Sequence, residues 1–321
     1  MPQPTATQVH VNRPLTNISI AFIQQAKNFV AGRVFPSVPV DKQSDSYFVY
    51  TKADWFRDEA RKRGDSTESA GSGYDSGTTT YNCDVFAFHK DVGDQVQANS
   101  DSPLDPLRDA AQFVIQRMLL RKEIQWATDF MVAGSWDTSV TGTTDFTKWS
   151  TYAGSDPITN IETGKATILQ NTGYLPNTLV LGYTTFRYLK NHPLLVDRFK
   201  HTTPNVLTTE LMAGIFDIER VLVCMAVKNT GNENETASYS FVQTGADALL
   251  CYVNPTPSPR APSAGYCFEW KGVSDGLGET VATRSFNMPQ LGKRHQRVES
   301  ELAFDNKVIA AAMGYYFTTA V

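Results

Sequence analysis

The five histidines are the residues best suited to bind a metal ion, but their spacing argues against a metal centre. They are widely separated, at His10, His89, His192, His201 and His295. None lies in an HExxH or mixed Cys/His pattern, which would bring several ligands to one ion. We therefore expect neither a metal site nor a cofactor.

Motifs for phosphate binding or nucleophilic catalysis are also incomplete. The glycine-rich stretch 71–77 lacks GxGxxG spacing and is predicted to be a flexible tip. Gly164-Lys165-Ala166-Thr167 is similar to the end of a phosphate-binding loop, but Thr159 stands where that motif requires glycine. No GxSxG motif occurs, and Asp58-Glu59 lies among alternating charges typical of a solvated surface. The chain is predicted not to be an enzyme.

The chain has the composition of a globular protein with few charged residues. Of its 321 residues, 41% are hydrophobic and 19% are charged, with a net charge of −4. Without a basic excess, tight nucleic-acid binding is not expected. The longest apolar run, 308–317, is shorter than the roughly 20 residues that a membrane helix needs, and the N-terminus has no signal-peptide pattern. Four cysteines without CxxC spacing are predicted to be buried free thiols.

The predicted elements begin with an irregular arm and a two-stranded ribbon. Prolines interrupt residues 1 to about 40. Strand-like runs at 47–55 and 79–88 flank a polar stretch, 57–77, that is rich in charge, serine and glycine. A lone two-stranded ribbon is only marginally stable in water. We therefore expect the ribbon to lie on another surface.

Two helices are predicted from Asp-Pro pairs, which suit the N-cap and the first helical position. Asp105-Pro106 begins a helix that ends near Gly134, roughly 28 residues on. Asp156-Pro157 begins a second helix, which Gly173 ends. The long helix has two apolar stripes: Phe113, Leu120, Ile124, Ala127 and Met131, and Leu107, Ala111, Val114 and Met118. Each apolar stripe must pack against another surface, which is either the chain's own core or another copy of the chain.

The C-terminal half reads as a mixture of strands and short helices, which makes the fold class α+β. Strands are predicted at 178–181, 220–227, 248–253 and 266–270, with a short helix at 184–190. Near the end, the sequence alternates with a period of two, as in a strand with one buried face. Its wet positions are Arg297, Glu299 and Glu301, and its buried positions are Val298, Ser300, Leu302 and Phe304.

Several stretches carry a resemblance to a known family. They read Phe29-Val-Ala-Gly-Arg-Val-Phe-Pro-Ser-Val-Pro-Val, Tyr47-Phe-Val-Tyr, Asp54-Trp-Phe-Arg-Asp-Glu-Ala, Asp91-Val and Asp101-Ser-Pro-Leu-Asp. In these residues, and in the order of its elements, the chain resembles major capsid proteins of tailed bacteriophages. The element order covers the whole chain and the matching residues cover 29 to about 130. These are packing residues, not a catalytic signature.

The resemblance implies the Hong Kong ninety-seven-type capsid fold and a division of the chain into five parts. These are an N-terminal arm (1–40), an extended β-hairpin loop (41–98), a peripheral domain with a long spine helix (99–175), an axial domain (176–287) and a return to the peripheral domain (288–321). It implies a major capsid protein whose hexamers and pentamers form an icosahedral head shell around double-stranded DNA. The protein would assemble in the host cytoplasm and end in the virion.

The resemblance also implies that the extended loop lies on a neighbouring subunit. Two groups of loop residues are the candidates for contacts between subunits. The aromatic anchors are Trp55, Phe56 and Tyr74, and the ion-pair partners are Arg57, Asp58, Glu59, Arg61 and Arg63. The alternative reading of these charges is that they are merely solvated.

The implied partners are other copies of the chain, a separate scaffolding protein, a portal and a possible decoration protein. A separate scaffold is expected because the arm is short, and packaged DNA is expected to make only weak, non-specific contact. Some relatives crosslink a loop lysine to an asparagine. Lys52 and Lys62 lie in the loop, but no motif places them for that chemistry, so we predict no crosslink.

Two other functions stay open at this stage. An encapsulin-like compartment that encloses enzymes has the same fold. An intracellular hydrolase with an unrecognised site would instead be a compact monomer or small oligomer.

Overall fold

The computed structural model of the chain describes residues 24–50, 52–101, 104–199, 208–243, 245–257, 262–272, 282–287 and 295–321. Parts of the predictions fall outside these ranges: the arm before residue 24 and the histidines His10 and His201. Within the described ranges, no helix is both long and apolar enough to span a bilayer.

The described helices are short except for two. They are α1 (Ala31–Val34), α2 (Lys52–Trp55), α3 (Asp94–Ala98), α4 (Pro106–Phe130), α5 (Pro157–Thr172), α6 (Tyr183–Lys190), α7 (Pro193–Phe199) and α8 (Thr209–Phe216). The strands of the N-terminal half are β1 (Ser37–Val40), β2 (Ser44–Tyr50), β3 (Ser76–Asn82), β4 (Asp84–Gly93) and β5 (Thr138–Thr141).

The strands of the C-terminal half alternate with α6, α7 and α8. They are β6 (Thr178–Gly182), β7 (Arg220–Cys224), β8 (Val227–Asn229), β9 (Tyr239–Phe241), β10 (Ala248–Cys251), β11 (Gly265–Trp270), β12 (Ala282–Asn287), β13 (His295–Val308) and β14 (Gly314–Thr318). The described residues therefore mix helices and strands, as the predicted α+β class requires.

The first of two five-stranded sheets is built around the long strand β13. Its order is β1-β11-β13-β12, and β4 pairs with β13 antiparallel over ten residues. The predicted alternation in β13 is confirmed, since Val298, Ser300, Leu302 and Phe304 are buried while Glu301 is only half-buried. The apolar row meets α4, whose Met118 packs against Leu302 and Phe304.

Helix α4 begins as predicted and ends earlier than predicted. The Asp105 carboxylate accepts the backbone N–H groups of Leu107 and Arg108, which satisfies two unpaired donors of the first turn. The helix ends at Phe130, before Gly134, because the chain turns there to place Trp136 beneath the helix end. The Trp136 indole N–H donates to the carbonyl of Phe130 at 2.8 Å.

The apolar stripes of α4 differ in burial. Val114 and Met118 of one stripe are buried, Met118 against the first sheet. In the other stripe Met131 is buried, whereas Phe113 is 41% exposed. Leu120, Ile124 and Ala127 are half-buried. One apolar side of the helix therefore faces the chain's own core, and the other is only partly covered.

The second sheet has the order β5-β14-β10-β6-β7 and lies between two hydrophobic layers. On one face, Ile161 and Ile168 of α5 pack with Leu179, Leu181 and Leu250. On the other face, Val180 and Leu249 pack with Trp126 and Phe130 at the end of α4. Helix α4 thus contacts both sheets. Helix α5 follows the prediction, with Asp156 as its N-cap and Gly173 in the left-handed region at φ 76°.

The described part of the arm, residues 24–35, fills the space between α4 and the second sheet. Val30, Val34 and Phe35 are buried in the same cluster as Trp126 and Leu222. Polar contacts fix its course: the Gln24 side chain bonds the backbone N–H and C=O of Val227, and Arg220 donates to the carbonyls of Arg33 and Val34. This segment is therefore part of the core.

The predicted boundaries differ from the sheets in three places. The strand predicted over 47–55 ends at Tyr50, and Lys52–Trp55 is a helical turn. The strand predicted over 79–88 is two strands separated at Cys83, and β4 belongs to the first sheet rather than to a free ribbon. The last segment serves both sheets, because β13 lies in the first and β14 in the second.

Candidate interaction surface

The ribbon, residues 44–82, consists of β2 and β3 paired antiparallel with a long connection between them. Its base is anchored to the first sheet: the Tyr81 ring stacks on Phe268 at 4.8 Å, and Tyr47 lies 5.5 Å from the same ring. The Asp305 carboxylate accepts the backbone N–H of Asn82 at 2.8 Å. Beyond this base, nearly every side chain of the ribbon is exposed.

Two aromatic residues of the tip, which comprises residues 52–75, gather with Tyr50 at the end of β2. The Trp55 ring lies 5.5 Å from Tyr74 and 6.2 Å from Tyr50. Asp54 fixes this arrangement by accepting the backbone N–H of Asp75 at 3.1 Å. Trp55 and Tyr74 nevertheless remain 63% and 64% exposed. The cluster therefore offers a pre-ordered apolar surface that the described part of the chain does not cover.

Phe56 is separate from this cluster. It points toward the end of α5, where a Cβ on Gly173 would lie 3.9 Å from the ring, and it is still 62% exposed. Of the three predicted aromatic anchors, Trp55 and Tyr74 are together and Phe56 is apart. Two exposed aromatic residues, Phe48 and Tyr50, were not among the predicted residues. Their signal was the spacing of two in β2, which places both on one face of the ribbon.

The predicted charged residues behave in two ways. Arg57 makes contacts within the tip, 3.6 Å from Asp54 and 3.3 Å from Glu59. A hydrogen bond from Ser72, reinforced by Arg57, lowers the pKa of the Glu59 carboxyl. The Arg63 guanidinium donates to the carbonyl of Thr67 and holds a turn.

The remaining charges of the tip are not engaged in this way. Asp58, Arg61 and Lys62 have no ion pair among the residues that the structure describes. They are exposed and remain available to a partner.

Residues whose types suggested a reactive site have structural roles instead. Lys165 of the Gly-Lys-Ala-Thr segment lies within α5, where its ammonium donates to the carbonyl of Phe216 at the end of α8. Ser155 and His192 form a buried pair at 2.9 Å, shielded by the edge-on ring of Tyr152. Burial lowers the pKa of His192, and the pair presents no nucleophile to solvent.

Metal ligands and thiols give the same picture. Across the described ranges, His, Cys, Asp and Glu side chains form no group of three suited to a metal ion. The prediction of buried free cysteines is confirmed for all four: Cys83, Cys224, Cys251 and Cys267. Burial raises the pKa of Cys251 and of Cys267 to about 12, which keeps both thiols protonated.

Comparison with known proteins identifies what this architecture resembles. No protein-family model matches the chain. The major capsid protein of Burkholderia phage BcepMu is 26% identical over 295 residues, or 88% of this chain and 92% of that protein. A phage-related protein of Bordetella bronchiseptica superposes with a TM-score of 0.67 at 22% identity, over 92% of this chain and 94% of that one. The mature capsid of bacteriophage PhiM1 gives 0.62 at 9% identity, over 97% and 92%.

The chain has the capsid fold of tailed bacteriophages. The predicted resemblance to phage major capsid proteins and to their Hong Kong ninety-seven-type fold is confirmed. The same fold occurs in the SrpI encapsulin of Synechococcus elongatus, with a TM-score of 0.56 at 12% identity over 96% of this chain and 93% of that one. The capsid fold alone therefore does not separate a phage head from a compartment shell. The sequence relative favours the phage head.

Proposed function

We propose that the chain is a major capsid protein whose copies form the icosahedral head shell of a tailed phage around double-stranded DNA. One observation carries this conclusion: the chain matches a phage major capsid protein over 92% of that protein's length, and it has the corresponding fold. Its role is structural, and its final location is the virion.

The test is the size and shape of the purified protein. Size-exclusion chromatography and negative-stain microscopy should reveal closed shells or rings built of hexamers and pentamers. A particle that stays at the monomer mass of 35.6 kDa under all assembly conditions would contradict the proposal. It would favour the remaining alternative, a hydrolase with an unrecognised site.

The encapsulin-like alternative predicts the same shells with different contents. Particles isolated from infected cells should contain double-stranded DNA and should copurify with portal and tail proteins. Shells that contain a cargo enzyme and no DNA would support the compartment instead.

Within this function, the ribbon acts as a strap between subunits. Trp55, Phe56 and Tyr74 are the proposed apolar anchors, since each leaves more than 60% of its surface uncovered. Arg57, Asp58, Glu59, Arg61 and Arg63 are the proposed charged partners. Asp58 and Arg61 are the best placed of these, because Arg57, Glu59 and Arg63 already make contacts inside the tip.

Assembly in the host cytoplasm is proposed to need a separate scaffolding protein and a portal, and a decoration protein is a further candidate partner. Expression of the chain alone tests the first point, because correct shells without any other phage protein would contradict it. No covalent crosslink through Lys52 or Lys62 is expected. A ladder above the monomer in denaturing electrophoresis of mature particles would contradict that expectation.

A further inference from the structure

The side of α4 that borders β4 carries a row of positive charges placed over aromatic rings. Arg117 and Lys90 lie 5.1 and 5.2 Å from the centre of the Phe113 ring. Arg121 lies 4.8 Å from the centre of the Phe86 ring. Arg117 and Arg121 are four residues apart in the helix, so about 6 Å separates them along its axis. We call Lys90, Arg117 and Arg121 the cationic stripe.

The described part of the chain supplies no counter-ion to this stripe. None of its three cations makes an ion pair there, and Arg121 donates instead to the neutral amide of Gln125 at 2.7 Å. The Asp129 carboxylate, about two turns beyond Arg121, accepts from the Gln125 amide. Asp109, about two turns before Arg117, is exposed and lies outside ion-pair distance of it.

The residues that precede the described chain add no negative charge to this helix. Gln24, the first described residue, lies beside α4, where its carbonyl accepts the side-chain N–H of Gln116 at 3.4 Å. Residues 1–23 contain no aspartate or glutamate. The acidic residues outside the described ranges are Asp275 and Glu279, on the connection to β12, which pairs with β13 at the edge opposite β4. The charge of the stripe is therefore left for solvent or for another molecule.

The rings hold the cations in place and leave their donors free. A guanidinium placed over a ring keeps its N–H groups in its own plane, where they can donate past the edge of the ring. The rings are themselves held, since Phe88 lies 6.0 Å from Phe113 and the buried Phe304 lies 5.3 Å from Phe86. Both arginines of the stripe are exposed. The stripe is therefore a pre-ordered line of donors for an anion.

We propose that the cationic stripe contacts the phosphates of double-stranded DNA and so marks the surface of the subunit that faces the packaged DNA. The inference rests on the proposed shell function and names the surface at which the shell meets its contents. A duplex presents an evenly spaced line of negative charge, so a row of cations along one helix meets it without a fixed register or base contact. Because the whole chain has a net charge of −4, three cations per copy give weak, salt-sensitive contact.

The first test is the binding of a fluorescein-labelled duplex of about 30 base pairs to unassembled subunits, measured by anisotropy over a range of salt concentrations. Three phosphate contacts predict a slope of about −2.7 in a plot of the logarithm of the binding constant against that of the salt concentration. Arg117→Gln with Arg121→Gln should reduce the slope to about −0.9 and the affinity at about 50 mM salt by about tenfold or more. Arg117→Lys with Arg121→Lys keeps the charge and should keep the slope.

The matched control is Arg187→Gln with Arg198→Gln. It removes two exposed arginines from α6 and α7, and Arg187 lies over the ring of Tyr188 much as the stripe arginines lie over theirs. This variant should bind the duplex as wild type does. An equal loss in the control would mean that overall charge governs binding and would overturn the proposal. An unchanged salt slope in the glutamine pair, or a lost slope in the lysine pair, would overturn it as well.

A second measurement uses DNA-filled particles. Phe113→p-benzoylphenylalanine places a photoreactive ketone at the stripe, and Trp55→p-benzoylphenylalanine places the same group on the ribbon tip. After irradiation, position 113 should yield protein–DNA adducts, seen as nuclease-sensitive material of high mass in denaturing electrophoresis, and position 55 should yield protein multimers instead. Protein adducts alone at position 113 would assign the stripe to an acidic protein segment. That result, or the absence of any adduct there, would overturn the proposal.

Failure of this proposal differs from failure of the shell function. If the wild-type chain forms no DNA-filled particles, the proposed function fails and the inference fails with it. If such particles form without a DNA adduct at position 113, the shell function stands, and only the assignment of this surface is wrong.

Discussion

Glu123 on α4 should make the stability of the subunit depend on pH in a direction opposite to that of most carboxylates. Its carboxylate accepts the backbone N–H groups of Val30 and Ala31, at 2.9 and 2.8 Å, and so ties the arm to the long helix. Burial raises the pKa of Glu123 from 4.5 to about 7, despite these bonds and the nearby ammonium of Lys122. The thiol of Cys224 faces it from β7 and is kept neutral by its own burial.

The size of the effect follows from that difference in pKa. Because the folded protein binds this proton more tightly than the unfolded chain does, the contribution of Glu123 to stability is complete below pH 4.5 and is lost as pH rises to 7. A shift from 4.5 to about 7 corresponds to about 3 kcal/mol of unfolding free energy. Glu123→Gln removes the titration and keeps an oxygen that accepts both N–H groups. The variant should therefore be the more stable protein above pH 7.

Urea unfolding of unassembled subunits at pH 5 and pH 8 measures this directly. The advantage of Glu123→Gln over wild type should widen by about 2.5 kcal/mol between these two values. Asp109→Asn is the matched control, an exposed carboxylate on the same helix, and should show no such change. An equal gap at both pH values would refute the reasoning, because it would mean that Glu123 has the same pKa folded and unfolded.

Three further predictions concern the tip, one glycine and the thiols. Trp55→Ser with Tyr74→Ser should raise the subunit concentration needed for assembly at least about tenfold, as measured by light scattering. A neighbour that covers on the order of 200 Å² of apolar surface there gains up to about 5 kcal/mol, and the ordering of both surfaces offsets part of that gain. Unfolding of the unassembled subunit should change by only about 1 kcal/mol. Gly314→Ala should cost more than about 3 kcal/mol or prevent folding, because its Cβ would overlap the Trp136 ring, whereas Gly214→Ala meets open space and should be tolerated. The four buried thiols should react with a chromogenic disulfide reagent only on unfolding, and fast reaction in the native protein would contradict their burial.

The sequence was most informative where structure is decided locally. Asp105 and Asp156 each precede a proline and become helix N-caps, and Gly173 ends its helix in the left-handed region. The period of two in β13 correctly identified the row that faces α4. Each of these signals acts within a few residues, so it can be read without knowing the fold.

The errors occur where distant segments decide the outcome. Nothing near Asp84 indicates that β4 leaves the ribbon to pair with β13, more than 200 residues away. Likewise, nothing in the sequence of the arm indicates that its residues 24–35 are held by Glu123 and Arg220 from two other elements. At the tip, the sequence shows which residues are charged. Which of them form ion pairs depends on how the connection between β2 and β3 folds back on itself. Such tertiary contacts have no local signal.

The proposed strap also constrains how the chain can associate. The ribbon tip and the surface that receives it are different parts of one molecule, so the contact is heterologous, and each subunit both gives a tip and receives one. Repetition of such a contact around a closed ring uses every tip, and this closure is what a hexamer or pentamer provides. Single contacts can then be weak, because each subunit is held by two neighbours at once and loses both only when the ring opens.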